Sequence, residues 1–309
     1  MTNLNELILY ITLSIIFFKI FDKYFSKVIL DIPVFRSSHI GATPTSAGIV
    51  FLIIYLIYAL LNKKYGLLLI IPIGILGLVD DIFNINQIYR LFFQSINVIL
   101  ISFLLLDFGI FYDIPFLSGF IPLIVLLIGL SLINFVNFMD GIDGLVSINM
   151  FLLFLNYSLT NNLDLIAIPI VLFIFLFYNW SPAKFFMGDS GSTFLGLLLF
   201  YITFSNNNLN SSITTLLIAS PLLLDSLICI LRRLHNKENI FSPHKKHLYQ
   251  RLHQKGMEHK QVSIIYALST TILLIVSHSN NLIFMLTSLS LLLMVGVYLE
   301  KYFAVPFKN

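Results

Sequence analysis

Residues 119–137, GFIPLIVLLIGLSLINFVN, run for nineteen positions without a charged side chain. About 20 helical residues cross the roughly 30 Å hydrocarbon core of a bilayer, so this stretch reads as a membrane-spanning helix. Working outward from it, ten more runs have the same character: Leu4–Phe21, Thr45–Leu61, Gly66–Val79, Leu91–Leu106, Leu145–Leu159, Leu165–Asn179, Thr193–Ser205, Ile213–Leu231, Val262–Ser277 and Leu282–Leu299. Several are short for a full crossing, which tilt or local thinning accommodates. Hydrophobic residues make up 58% of the chain and charged ones 11%. The expected fold is therefore an all-α integral membrane protein, a polytopic bundle of about eleven transmembrane helices. No Gly/Ser/Pro-rich linker interrupts the spans, so residues 1–309 read as one domain. There is no internal repeat, which weighs against a transporter built from inverted halves.

The basic residues orient the bundle. With the N-terminus outside, the inside connections carry 15 of the 18 Lys and Arg, the outside ones carry Lys63 and Lys64, and Lys19 lies within the first span. That is the bias of the positive-inside rule for an N-out, C-in chain. Lys19, Lys23 and Lys27 close the first span and Glu6 precedes it, the reverse of a cleaved signal peptide. Cys229 is the only cysteine and sits in an apolar span, so intramolecular disulfides and Cys-based metal sites are taken as excluded. The net charge of +3 gathers on the inside face, where it attracts anionic headgroups or a phosphorylated substrate.

The polar residues cluster on the same side. Asp80 and Asp81 end the third span, and Arg90 and Gln94 open the fourth. Adjacent carboxylates near hydrocarbon need a cation, a proton or a positive partner. The fifth span runs into Asn134, Asn137 and Asp140, three apart on one helical face, followed by Gly141, Asp143 and Gly144. After Asn179 comes the turn Gly188-Asp189-Ser190-Gly191-Ser192, whose backbone N–H groups suit phosphate and whose Asp189 suits a divalent ion. Phe185 and Phe186 before it are candidates to stack on a base. The longest inside connection holds His244, Lys245, Lys246, His247 and Arg251; the two histidines are compatible with zinc, but the cations beside them favour a polyanion. Arg36 to His39 form a second basic segment. Asp225, alone in the ninth span, is expected to be protonated or paired, with Arg232 or Arg233 as partner.

Carboxylates, acceptor amides, a phosphate-type turn and two basic loops suit phosphoryl transfer between anionic substrates. The set Asp80-Asp81 with Arg90 and Gln94, Asn134…Asn137…Asp140-Gly-Ile-Asp143-Gly, Phe186-Met-Gly-Asp189-Ser-Gly-Ser192 and the His/Lys loop resembles the polyprenyl-phosphate N-acetylhexosamine-1-phosphate transferases of the MraY/WecA superfamily, glycosyltransferase family 4, over nearly the whole chain. The resemblance implies transfer of a sugar 1-phosphate from a UDP-N-acetylhexosamine to undecaprenyl phosphate, with release of UMP and with Mg²⁺ (or Mn²⁺) as cofactor. It implies Asp189 as metal ligand with Asn137 nearby, and Asp80, Asp81, Asp140 and Asp143 as the catalytic carboxylates. Asn179 and Phe186 match nucleoside-contacting positions. Arg36, His39, Arg90, His244, Lys245, Lys246, His247 and Arg251 are the expected diphosphate and sugar contacts. The family often has Gly-Gly where Ser46-Ala47-Gly48 stands here.

The His-Lys-Lys-His-Leu-Tyr-Gln-Arg stretch is more similar to the branch that starts O-antigen, hence lipopolysaccharide, on N-acetylfucosamine or N-acetylquinovosamine than to the triple-histidine loop of the cell-wall peptidoglycan enzyme. The expected location is the bacterial inner membrane with the site facing the cytoplasm. Partners are the lipid carrier, the nucleotide sugar and the bilayer, without nucleic acid; a homodimer is left open. Two competing readings remain, a UDP-GlcNAc or UDP-MurNAc-pentapeptide enzyme of the same superfamily and an ion- or proton-coupled transporter. A transporter would carry its carboxylates near the bilayer midplane, whereas here all but Asp225 lie at span ends.

Overall fold

The computed structural model describes residues 4–31, 41–106, 118–240 and 242–307. Among them lie twelve α-helices: α1 Leu4–Ile20, α2 Gly48–Leu61, α3 Ile71–Phe83, α4 Gln87–Leu105, α5 Ile121–Met139, α6 Leu145–Thr160, α7 Ala167–Asn179, α8 Gly188–Phe204, α9 Leu209–His235, α10 Leu248–Gln254, α11 His259–Ser277 and α12 Leu282–Phe303. Eleven of them fall on the apolar runs. Seven are long and apolar enough to cross a membrane, counting the turns that extend α1 to Phe25 and begin α3 at Tyr65, and α2, α6 and α7 are shorter apolar helices. The chain is an all-α polytopic membrane protein with two additions the hydrophobicity does not announce. One is α10, a single short helix inside the basic connection. The other is a two-residue antiparallel pair, β1 Leu30–Asp31 with β2 Thr43–Pro44, in register Leu30 to Pro44 and Asp31 to Thr43.

Helix boundaries follow the local chemistry. Pro occupies the first turn of α3 and of α5, where its missing N–H has no intrahelical partner to lose. Asn86, Asn208 and Asn281 cap α4, α9 and α12, each accepting a backbone N–H with its side-chain oxygen. Burial then sorts the helices. In α12 only Met285 is buried, so its apolar surface faces outward, as a lipid-facing helix requires. In α8 every residue from Ser190 to Phe200 is buried, which makes it the central helix, packed by α2, α3, α5 and α9.

The first turn of α8 carries the polar residues, so the most enclosed helix of the bundle delivers Asp189. The chain enters beside it by an unusually close approach. The Ala47 and Gly48 N–H groups donate to the Phe186 and Met187 carbonyls at 3.0 and 2.9 Å, and a Cβ on Gly48 would lie 2.2 Å from the Gly191 nitrogen. The close backbone approach is therefore made at Gly48, with Ser46 and Ala47 preceding it. Gly48→Ala is expected to lower stability by about 1–3 kcal/mol through overpacking against backbone. The thermal midpoint of the purified variant against the parent checks this, and an unchanged midpoint would mean α2 and α8 are not packed this closely.

Candidate active site

The end of α3, the start of α4, the end of α5 and the start of α8 converge on one cluster of charge. Asp81 accepts the Asp189 N–H at 2.9 Å, the Ser190 N–H at 3.3 Å and the Ser46 hydroxyl at 2.7 Å. Its carboxylate thus caps α8 from another helix, a favourable place for negative charge. The turn expected to meet phosphate with its backbone meets Asp81 instead. Gly188 has φ +69°, and a Cβ there would sit 2.5 Å from Asp81 Oδ2, so only glycine fits between the cap and the turn. Ser46, at φ +68°, is a left-handed non-glycine residue held by that same hydrogen bond.

Asp189 then points its carboxylate at two partners. Oδ1 accepts the Asn137 amide at 2.8 Å, and Oδ2 lies 3.0 Å from Arg90 Nη1. Arg90 Nη1 also meets Asp80 Oδ2 at 2.5 Å, and the other Asp80 oxygen accepts the Ile85 N–H at 2.6 Å. Asn137 donates to the Ser192 hydroxyl at 2.9 Å as well, and Asn134 donates to buried Gln94 at 2.8 Å, fixing α4 against α5. The Asp189 side chain is 29% exposed against 8% for Asp80, so Asp189 is the carboxylate of this pair that opens to solvent. Asp140 ends α5 beside them. Burial first, and then the charges of Asp189 and Asp81, push its carboxyl well above the ordinary range. Arg90 pairs with Asp80 and Asp189, and Asp81 and Asp140 lie close enough to Asp189 to act on it, so the described cluster presents an excess of negative charge as hard oxygen donors. Such a donor set fits Mg²⁺ or Mn²⁺, with the Asn137 carbonyl oxygen and Ser192 hydroxyl as further oxygen groups.

Other expected site residues are placed elsewhere. Asp143, expected among the catalytic carboxylates, turns away from Asp189: it lies 3.2 Å from His259 Nδ1 and accepts the Ala183 N–H at 3.1 Å. Burial pushes its carboxyl up, but His259 and the Ala183 N–H outweigh this and hold it below the usual range. Asn179, expected to contact a nucleoside, is buried, and its amide bonds Gly144 N–H, the Ser147 hydroxyl and the Phe185 carbonyl, fastening α6 to α7. Phe185 is a core residue, stacked with Phe18 and Tyr178 rather than open to a base. Phe186 at its side is half-buried. Arg36 and His39 lie outside the described residues.

The basic connection divides in the same way. Arg251, expected on the diphosphate, is buried and binds inward, to the Lys246 and Val305 carbonyls and to Glu300 at 2.7 Å. Lys246 pairs with Glu238 at 2.8 Å while remaining partly exposed, and Lys245 is half-buried beside it. Asp225 is paired, but not with Arg232 or Arg233: it accepts the Leu248 and Tyr249 N–H groups and the Tyr266 hydroxyl, with His247 Nδ1 at 3.7 Å. It caps α10 as Asp81 caps α8. The Tyr249 hydroxyl donates to the Phe138 carbonyl at 2.9 Å, which holds the basic connection against the end of α5 next to Asp140. Burial first, then His247, Arg233 and Lys246, push the His244 imidazole down to about 3, so it is neutral here. Cys229 does not stand alone, as a count of cysteines suggests: ligand atoms of Cys229, His244 and His247 all lie within 4.8 Å of one another, although the positive field that keeps His244 neutral opposes a dication there.

The fold and this cluster define a polytopic membrane protein with a carboxylate site at one end of its bundle, and residues 63–206, which hold Asp80 through Asp189, match Glycosyl transferase family 4. Among curated relatives, the chain is similar to the probable undecaprenyl-phosphate N-acetylglucosaminyl 1-phosphate transferase of Bacillus subtilis (strain 168), 39% identical over 99 residues, 30% of this chain and 27% of that protein. It is similar also to phospho-N-acetylmuramoyl-pentapeptide-transferases of Petrotoga mobilis, 32% identical over 187 residues (51% of this chain, 59% of the relative), and Sulfurimonas denitrificans, 27% identical over 238 residues (62% and 67%). The match covers about a quarter of the length of the first of these relatives.

The geometry separates two aspartates that stand side by side in the motif. Asp81→Ala removes the cap of a central helix and is expected to cost about 1–3 kcal/mol of stability. Asp189→Ala leaves Arg90 paired with Asp80 and is expected to leave the thermal midpoint near that of the parent. Equal melting of the two variants would overturn the division.

Proposed function

We propose that the protein transfers an N-acetylhexosamine 1-phosphate from a UDP-sugar to undecaprenyl phosphate, forming a diphosphate-linked lipid and releasing UMP. The observation that carries the reading is the cluster in which Asp189 meets Arg90 and Asn137, Asp80 shares Arg90, and Asp81 and Asp140 adjoin Asp189, at a bundle end and inside the stretch that matches Glycosyl transferase family 4. The bond that forms joins an acceptor phosphate oxygen to the phosphorus bearing the sugar, and the bond that breaks is the diphosphate link to UMP. The acceptor monoester is already largely ionised at neutral pH, so no side chain has to remove a proton from it. Asp81, with both oxygens engaged on the α8 turn, acts as a positioning residue. Arg90 offsets the charge of Asp80 and Asp189 and keeps the Asp189 carboxylate aimed outward. Lys245, Lys246 and neutral His244 supply charge and hydrogen bonding for the donor diphosphate from the neighbouring connection.

A divalent ion, Mg²⁺ or Mn²⁺, would be held by Asp189 with Asn137 and Asp140, and when bound it offsets phosphoryl charge. The site faces the cytoplasm of a bacterial inner membrane in this reading, which rests on the distribution of basic residues. For the donor we favour a 6-deoxy sugar of the N-acetylfucosamine or N-acetylquinovosamine type, feeding O-antigen, on the likeness of the His244 to Arg251 stretch. The second reading is N-acetylglucosamine, the sugar in the name of the Bacillus subtilis relative.

Purified protein with undecaprenyl phosphate and a panel of UDP-sugars tests the reading through UMP release and the lipid product. Activity should vanish in EDTA and return with Mg²⁺, and Asp189→Ala should lose about 100-fold or more while staying folded. Turnover in EDTA, or near-parental turnover by folded Asp189→Ala, removes the metal assignment. A 6-deoxy donor should give the highest kcat/KM, with hydroxyl-bearing donors slower by no more than about 100-fold; a preference for UDP-GlcNAc selects the second reading.

Orientation is tested separately, with single cysteines beside Asp80, Asp140, Asp189 and His244 in a Cys229→Ser background. An impermeant thiol reagent should leave all four unlabelled in intact cells and label them in inverted vesicles. Labelling from outside at any one of them reverses the topology.

A further inference from the structure

A second polar site lies at the other end of the bundle. A cavity of about 600 Å³ opens between α6, α8, α9, α11 and α12, lined by Asn156, Asn161, Asn206, Asn208, Asn210 and Thr214 among others. The helix α8 leads from Asp189 at one site to Asn206 at the other, seventeen residues or about 25 Å along its axis. Among the described lining residues there is no Asp, Glu, Lys or Arg, and His278 is the one imidazole. Buried Tyr157, Ile202, Ile218 and Met285 give the cavity an apolar base. Some of the amides hold the wall: Asn206 donates to the Ser211 hydroxyl at 3.2 Å and Asn208 accepts the Ser211 N–H at 3.2 Å. The side chains of Asn156, Asn210 and Thr214 make no hydrogen bond to another described residue.

This composition selects a ligand class. A nucleotide or phosphate would need several cations and a hard metal ion would need carboxylates, and the described lining offers only the single imidazole of His278. An acyl chain gains nothing from a wall of amides. Amides and hydroxyls offer donors and acceptors together without charge, which matches the paired donor and acceptor character of sugar hydroxyls, over a base that fits the apolar face of a pyranose ring. We infer that the cavity is a binding site for a neutral saccharide, either free or as the headgroup of a membrane glycolipid. It shares no residue with the carboxylate cluster, and the inference stands independently of the transferase reading.

The test uses the full chain in phosphatidylcholine nanodiscs, which carry no sugar headgroup. Saturation-transfer NMR titrations with N-acetylglucosamine and N,N′-diacetylchitobiose read a free sugar, and a second arm dopes the discs with monoglucosyldiacylglycerol and reads its retention. Saturable binding in either arm is expected, weakened about tenfold or more by Asn156→Leu with Thr214→Val, unchanged by Asp189→Ala and not displaced by UDP. Asn210→Ala, at an exposed position, repeats the test should the double variant melt early. Absence of saturable binding in both arms overturns the inference. So does binding that survives these lining variants, or that is lost with Asp189→Ala or to UDP, since the signal then comes from another site.

Discussion

The site rests on one carboxylate, Asp81, whose two oxygens are engaged by the backbone of another helix. Asp81 sits at the end of α3 and accepts two backbone N–H groups from the first turn of α8, 108 and 109 residues later, together with the Ser46 hydroxyl. Those N–H groups have no intrahelical acceptor, and at the centre of a bundle water is scarce, so leaving them unmet would be costly. A charged acceptor from a different helix satisfies them and ties α3, α8 and the entry to α2 at one point. The close contacts of Gly48 and Gly188 around this point are possible because neither carries a Cβ. The direction of Asp189 is a consequence of this knot, because the residue whose N–H is capped is the residue whose side chain faces the opening.

The same device recurs. Asp225, inside a span, would be expensive as an isolated charge, but two N–H groups of α10 and the Tyr266 hydroxyl surround it. Asp143 likewise meets a backbone N–H and a histidine. The carboxylates of this protein therefore fall into two groups. Asp81, Asp143 and Asp225 are engaged chiefly by backbone N–H groups and neighbouring side chains, whereas Asp80 and Asp189 meet on Arg90 with the charge of Asp140 nearby, and of these Asp189 is the carboxylate that opens to solvent.

This division explains what the sequence does and does not reveal. Apolar runs report lipid-facing and core helices directly, and the eleven runs fall on helices because a backbone in hydrocarbon has to bond to itself locally. Asp80, Asp189 and Asn137 were legible as a site because their spacing concentrates polar atoms at span ends. The assignment of individual roles was not, because Asp81 and Asp189, like Asp143 and His259, are partners separated by more than a hundred residues. Asn179 and Phe185 look like ligand contacts from their position next to a motif, yet the burial that makes them structural is tertiary information. Helix α10 has no hydrophobic period long enough to register. Its start does carry a local signal, Gln250 three residues after His247: the Gln250 side-chain oxygen accepts the His247 N–H at 3.4 Å.

The basic connection shows how such a loop can be both charged and fixed. Glu300 near the end of α12 takes Arg232 and Arg251, and Glu238 takes Arg233 and Lys246. Arg251 also receives the chain end: its carbonyl accepts the Val305 N–H, its guanidinium donates to the Val305 carbonyl, and the Phe307 ring lies 5.4 Å from it. With Glu300 and Glu238 offsetting its arginines and the Val305 carbonyl taking a further guanidinium donor, the segment can fold against α5 through Tyr249. A polyanion arriving there would meet Lys245 and Lys246 on a backbone already in place. Arginine, with its planar fork and several donors, holds the frame, while the partly exposed lysines lie at its edge.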